Sequence, residues 1–104
     1  MSELQIDINF LMIIAGRKMK EDLMEAISNH GGRLINVIYG KGSVKASYLM
    51  NAFGFAPEEN KVVIACLFPQ KKIDIMLKVL TDDFDFDKPN TGIAFTTTVD
   101  KLSF

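Results

Sequence analysis

The chain has one cysteine and one histidine in 104 residues, and its twelve Lys and Arg are slightly outnumbered by thirteen Asp and Glu. Each scarcity removes a class of function. Cys66 alone cannot close an internal disulfide, and within Val62-Val63-Ile64-Ala65-Cys66-Leu67-Phe68 its thiol reads as a small buried hydrophobe. His30 has no second histidine with which to build a metal site, and at the end of a helical pattern its imidazolium suits the helix dipole without any catalytic role. A formal net charge of −1, with the basic residues scattered along the chain, offers no footprint for a phosphate backbone, so nucleic acid is not expected as a partner. No apolar run approaches the ~20 residues of a membrane span. Glu3 and Asp7 interrupt the N-terminal apolar residues where a secretory signal would need a continuous core. The expectation is a soluble, cytoplasmic, single domain over residues 1–104, and 48% hydrophobic residues suffice for its core.

Two further absences concern sites. The acidic run Asp82-Asp83-Phe84-Asp85-Phe86-Asp87 has the alternation of a calcium loop, but Lys88 takes the place of its glycine and Ala94 that of its closing glutamate, so it reads as a solvated turn. Gly40-Lys41-Gly42-Ser43 lacks a Ser or Thr directly after a Gly-Lys pair and is not a Walker sequence.

What is present is periodicity. Ile6, Ile8, Phe10, Met12 and Ile14 alternate with Asp7, Asn9, Leu11 and Ile13, the period of a strand, and the second set turns from polar to apolar halfway along. From Arg17 to His30 the period changes: Met19, Leu23 and Ile27 lie four apart, with Met24 beside them, and Gly31-Gly32 stops the helix. Leu34 to Tyr39 and Val62 to Phe68 are strands, the second closed by Pro69. Ile73, Met76, Leu77 and Leu80 give a second amphipathic helix over 71–81, and the Thr- and Phe-rich run Gly92 to Val99 gives a last strand. The order strand, helix, strand, strand, helix, strand predicts an α+β, ferredoxin-like βαββαβ domain, an antiparallel sheet with both helices on one face.

Leu11 to Ile14 and Val62 to Phe68 are apolar on both faces, whereas two helices cover only one. At about 25 cal/mol per Å² a wet second face is costly, so the sheets are expected to pack against each other in a homo-oligomer; the alternative is that edge loops or the 43–60 segment fold back over that face. Within that long segment Ala46, Leu49, Met50 and Phe53 fall on one helical face, with Ser43 as N-cap and Gly54 as the residue after the helix, so the loop between strands 2 and 3 is expected to hold a short helix that docks on something. Tyr48 reads as an apolar-flanked helix tyrosine rather than a modification site. The loop begins at Tyr39-Gly40-Lys41-Gly42-Ser43, where two glycines free the backbone to take positive φ and turn its amides toward a ligand around the Lys41 cation, or simply end the strand and turn the chain.

This element order, the glycine-rich exit of the second strand, the long loop after it and the closing Asn90-Thr91-Gly92-Ile93-Ala94-Phe95-Thr96 resemble the PII nitrogen-regulatory signal proteins, in particular a short PII-like branch. The resemblance implies a trimer with sheets facing inward and a small-molecule effector, in typical members an adenine nucleotide, held in the cleft between subunits. It also implies that the long loop changes shape to engage a membrane transporter or metabolic enzyme, in nitrogen or related metabolism. Carried onto this chain, the ligand-binding positions are Gly40, Lys41, Gly42 and Ser43 at the loop base and Lys88, Asn90, Thr91 and Gly92 around the turn before the last strand. The partner-binding loop positions are Ala46, Tyr48, Leu49, Met50 and Phe53. Two departures bear on phosphate: Ile93 stands where the family usually has Lys or Arg, and the family's basic C-terminal segment has no counterpart before Phe104, leaving Lys41 and Lys88 as substitutes. No catalytic constellation is expected; the nearest titratable group, Lys41 with Glu58 and Glu59, has no spacing logic for an enzyme. An RNA-binding sheet would expose aromatic and basic residues, and these strands carry aliphatic ones. A structural oligomer without a ligand remains the other reading.

Overall fold

A computed structural model describes residues 7–41, 60–88 and 91–100. Strand β1 (Ile8–Gly16) leads through a 3-10 turn, Arg17–Met19, into helix α1 (Lys20–Asn29), and β2 (Arg33–Lys41) follows. The second half repeats the plan: β3 (Asn60–Pro69), a 3-10 turn at Gln70–Lys72, helix α2 (Ile73–Phe84) and β4 (Gly92–Thr98). The four strands form one antiparallel sheet in the order β2-β3-β1-β4. This is the ferredoxin-like arrangement expected from the sequence.

One face of the sheet meets the helices. Leu11, Ile13 and Ala15 from β1 and Val62, Ile64, Cys66 and Phe68 from β3 are buried with Leu23 and Ile27 of α1 and Ile73, Met76 and Leu80 of α2. The helix positions are the ones whose spacing marked them as apolar stripes. The opposite face repeats the period one residue out of step. Across the strands run Ile38, Val63, Ile14 and Ile93, and beside them Asn36, Ala65, Met12 and Phe95, with Phe10 and Leu67 next. Both faces of the central pair are therefore apolar, as the sequence predicts, and no described helix covers the second one. Ile38 on it is 60% exposed.

The element ends differ from the periodicity estimates, and the 3-10 turns account for most of the difference. They take Arg17–Met19 out of the first expected helix and Lys71 and Lys72 out of the second, so α1 starts at Lys20 and α2 at Ile73. Helix α2 continues past Thr81 to Phe84 because its C-terminus is capped late: Asp85 takes the left-handed conformation at φ 60°, and the amides of Asp85 and Phe86 both donate to Leu80 O. The strand expected from Ile6 runs over Ile8–Gly16. The Gly31-Gly32 stop behaves as expected: Gly31 has φ +102°, the Gly32 amide donates to Ile27 O at 2.8 Å, and His30 Nδ1 donates to Ala26 O at 2.7 Å. The short helix expected within 43–60 lies outside the described residues.

Candidate functional site

The register brings the chain's candidate positions to one end of the sheet. Gly40 pairs with Lys61, and Lys61 pairs with Gly16; one step inward lie Tyr39, Val62, Ala15 and Gly92. The exits of β1 and β2 and the entries of β3 and β4 thus share an end, and the long 43–59 segment leaves and returns there. Gly40 and Gly92 nevertheless sit on opposite edge strands. Three strand spacings separate them, about 14 Å, so a compact ligand of a few ångströms cannot touch both within one chain.

Around β2 the end is open and basic. Arg17 lies just past β1, and its Cζ stands 4.8 Å from the centroid of the Tyr39 ring. Lys20, one turn on, places its Nζ 5.3 Å from the same centroid. Lys20 has further partners: its ammonium is held above the ordinary lysine range, first by its hydrogen bond with the Tyr39 side chain and then by Glu21, whose carboxylate is 3.2 Å away. Arg17 is poorly served. Its Nη2 donates to Gly40 O at 3.4 Å, a long bond, and its buried Nε has no hydrogen-bond partner among the described residues. Beside it Gly16, Arg17, Lys18 and Asn60 line a hollow of about 340 Å³, at the small end of the range for ligand pockets.

Gly40 does not turn the chain. It lies within β2, paired with Lys61, its φ is not positive, and a Cβ there would meet nothing within 4 Å among the described residues, so neither backbone conformation nor described neighbours demand glycine. The strand continues through Lys41, which pairs with Asn60. Gly42 and Ser43 lie outside the described residues, as do Ala46, Tyr48, Leu49, Met50 and Phe53 of the expected partner loop.

The turn before β4 is built on its own contacts. Thr91 Oγ1 is 2.6 Å from Asp85 O and 2.7 Å from Lys88 O, and the Lys88 ammonium pairs with Asp85 at 3.3 Å. Gly92 is buried, and a Cβ there would come within 2.2 Å of the Phe86 ring. Its lack of a side chain thus answers to packing before any ligand. Asn90 lies outside the described residues. Ile93 is on the face away from the helices, level with Ile14. Sequence reasoning singled out this turn and missed Arg17, whose neighbours Tyr39 and Gly40 are distant in sequence.

Other candidates resolve structurally. Cys66 is buried between β1 and the helices, and burial pushes its thiol up to about 11, so it stays protonated and unreactive near neutral pH. Among the described residues no three His, Cys, Asp or Glu side chains lie close enough to hold a metal ion, and no helix is long and apolar enough to cross a membrane.

No protein-family profile matches the chain, and no curated relative matches it. Solved structures do. A nitrogen regulatory PII-like protein, CPII of Thiomonas intermedia K12, superposes in its form bound to ADP, AMP and acetate with a TM-score of 0.68, over 88% of this chain and 85% of that one, at 14% identity. In a form bound to ADP, AMP and bicarbonate the TM-score is 0.62, over 88% and 89%, at 17% identity. A PII-like protein of Thermus thermophilus gives 0.65 over 90% and 91% at 14% identity, and a DUF3240 family protein of Shewanella baltica gives 0.58 over 96% and 98% at 14% identity. With nearly the whole of each partner covered, the chain has the fold of the PII-like proteins.

Proposed function

We propose that this protein is a PII-like regulator: a homo-oligomer, in its simplest form a trimer, that binds a small anionic effector, an adenine nucleotide in the first instance, between subunits. It passes the binding state to a partner protein through the 43–60 segment. The observation that carries the reading is the placement of the loop base and the turn before β4 at one end of the sheet but on opposite edges. A ligand that uses both needs the β2 edge of one copy beside the β4 edge of another. The apolar second face, running through Ile38, Val63, Ile14 and Ile93, favours such an assembly, since packing it against other copies removes it from water. The fold neighbours support the ligand class: CPII is bound to ADP and AMP with acetate or bicarbonate.

In this reading Lys41 and Lys88 supply cations near the anion, Gly40 and Gly42 admit close backbone approach, and Ser43, Asn90, Thr91 and Gly92 complete the cleft. Ala46, Tyr48, Leu49, Met50 and Phe53 form the surface that meets a transporter or metabolic enzyme in the cytoplasm, in nitrogen or related metabolism. Effector and partner are coupled because a ligand that prefers one arrangement of the segment raises its population, and a partner that prefers the same arrangement binds more tightly. The protein acts by this coupling and not by turnover.

The test is thermal unfolding at one subunit concentration against ATP, ADP, AMP, cyclic nucleotides, 2-oxoglutarate and bicarbonate, with the oligomer measured in parallel by light scattering. A ligand at a hundred times its dissociation constant adds about 2.7 kcal/mol to the folded state and raises Tm by several degrees. A shift with an adenine nucleotide that Gly42→Val abolishes, with the oligomer intact, is the expected result. A monomer, or no shift with any of these compounds, overturns the reading in favour of a different assembly or a ligand-free scaffold.

A further inference from the structure

We infer that the hollow lined by Gly16, Arg17, Lys18 and Asn60 is an oxyanion subsite, taking a phosphate or carboxylate group, and that Arg17 is the side chain that receives it. The inference rests on the reading proposed above, that this end of the sheet takes an anionic ligand. It adds a residue that the glycine-rich loop pattern does not include.

Three observations converge. First, Arg17 carries a full charge with weak compensation: a tyrosine face and one 3.4 Å bond to a carbonyl, and no carboxylate pairs with it among the described residues. Second, its Nε–H is buried without a hydrogen-bond partner there, a cost that a resting side chain sheds by moving to an acceptor. Third, a second cation shares the Tyr39 ring. Lys20 has Glu21 at 3.2 Å to balance it, and Arg17 has no equivalent among the described residues. An oxyanion in the hollow supplies the missing charge and an acceptor for the guanidinium, whose fork suits carboxylate and phosphate alike. At about 340 Å³ the hollow has room for such a group.

The position gives the subsite a consequence. Arg17 Nη2 donates to Gly40 O, on the last stretch of β2 before the long segment. When the guanidinium turns to an anion it gives up that carbonyl and loosens its stacking on Tyr39, so occupancy is felt at the exit of β2. Arg17 is therefore both the receiving group and the link to the segment proposed to signal.

The experiment follows the side-chain Nε–H resonances by 15N NMR on the full chain, titrated with inorganic phosphate, sodium acetate and sodium bicarbonate at constant ionic strength, with chloride as the control. The chain has only two arginines, Arg17 and Arg33, so Arg33→Lys assigns both peaks. The expected result is a saturable shift of the Arg17 peak with at least one oxyanion, with Arg33 still; phosphate alone marks a phosphate subsite, and acetate or bicarbonate a carboxylate-type one. In parallel, Arg17→Gln should weaken the tightest oxyanion tenfold or more, with Arg17→Lys in between, as loss of a charge-assisted bond implies. No response of the Arg17 peak beyond the chloride control overturns the inference. So does undiminished oxyanion affinity in Arg17→Gln, and if an adenine nucleotide still stabilises both proteins the broader reading survives. An Arg17 response to oxyanions without any nucleotide or metabolite shift keeps the subsite and removes the nucleotide.

Discussion

The two ends of the sheet are made from the same parts and finished differently. At one end β3 passes into the Gln70–Lys72 turn, and at the other β1 passes into the Arg17–Met19 turn, each an extended residue followed by a 3-10 turn and a helix. The Gln70 end is closed. Its amide donates to Asp7 O at 2.8 Å, its side chain accepts from Asn9, which is otherwise buried, Val99 N–H donates to Ile8 O, and Gly32 is wedged against Ile27 and Phe68. Among the described residues the Arg17 end is less filled around β2: nothing lies within 4 Å of a Cβ at Gly16 or Gly40, and the arginine's Nε lacks a partner. Of these two copies of one local design, one has its polar groups satisfied and the other does not among the described residues. Buried polar groups are ordinarily satisfied, so the Arg17 Nε is the exception on which the proposed anion subsite turns.

Substitutions at matched positions sharpen or break that contrast. Gly32→Ala should cost the most, about 1–3 kcal/mol in urea unfolding, because its Cβ would lie 2.2 Å from Ile27 Cγ2 and 2.9 Å from Phe68 Cε2. Gln70→Ala removes the acceptor of the Asn9 amide and should cost about 1–1.5 kcal/mol, whereas Arg17→Ala should change stability by less than about 1 kcal/mol. Equal losses at the two turns would mean that both ends are structural.

The core between the ends supplies a pH test. The Cys66 thiol, ordinarily near 9.0, is raised to about 11, so between these values the folded state holds a proton that the unfolded state gives up. Stability should therefore fall as pH rises from about 9 toward 11, with a slope approaching about 1.4 kcal/mol per unit, and Cys66→Ala should remove that component. A matching slope in the variant would assign the loss to other groups.

Smaller effects finish the series. Leu34 sits at the bulge in β2 with φ 53° and is 72% exposed, so Leu34→Gly relieves backbone strain at little packing cost and should gain about 0.5–1 kcal/mol by thermal unfolding. Gly16→Ala should be neutral within about 0.5 kcal/mol, since a Cβ there meets nothing within 4 Å.

The sequence made the element types legible because burial writes a period. Leu23 and Ile27, and Ile73, Met76 and Leu80, are spaced as helix faces, and they are the residues the core buries. Its glycines were less legible. Gly40 suggested a turn and is an extended strand residue, while at Gly92, a candidate ligand position, the missing side chain also makes room for Phe86. A glycine in sequence records that a side chain is unwelcome, not what excludes it. Arg17 was invisible for a related reason: a basic residue after a strand is usually a solvated one, and nothing local tells that Tyr39 and the end of β2 will half-bury it.

The sequence by itself thus determined the order of strands and helices, the two-sided apolar character of β1 and β3, and the inert setting of Cys66, because each follows from a local pattern of side chains and the cost of leaving it wet. The tertiary structure alone decided which residues share an end of the sheet. Pairing register fixes that Gly40, Lys61 and Gly16 lie in one row and that Gly92 lies on the far edge, and register depends on how the whole sheet closes over its helices. The polar contacts at that end are non-local, and they exist only once the strands have paired.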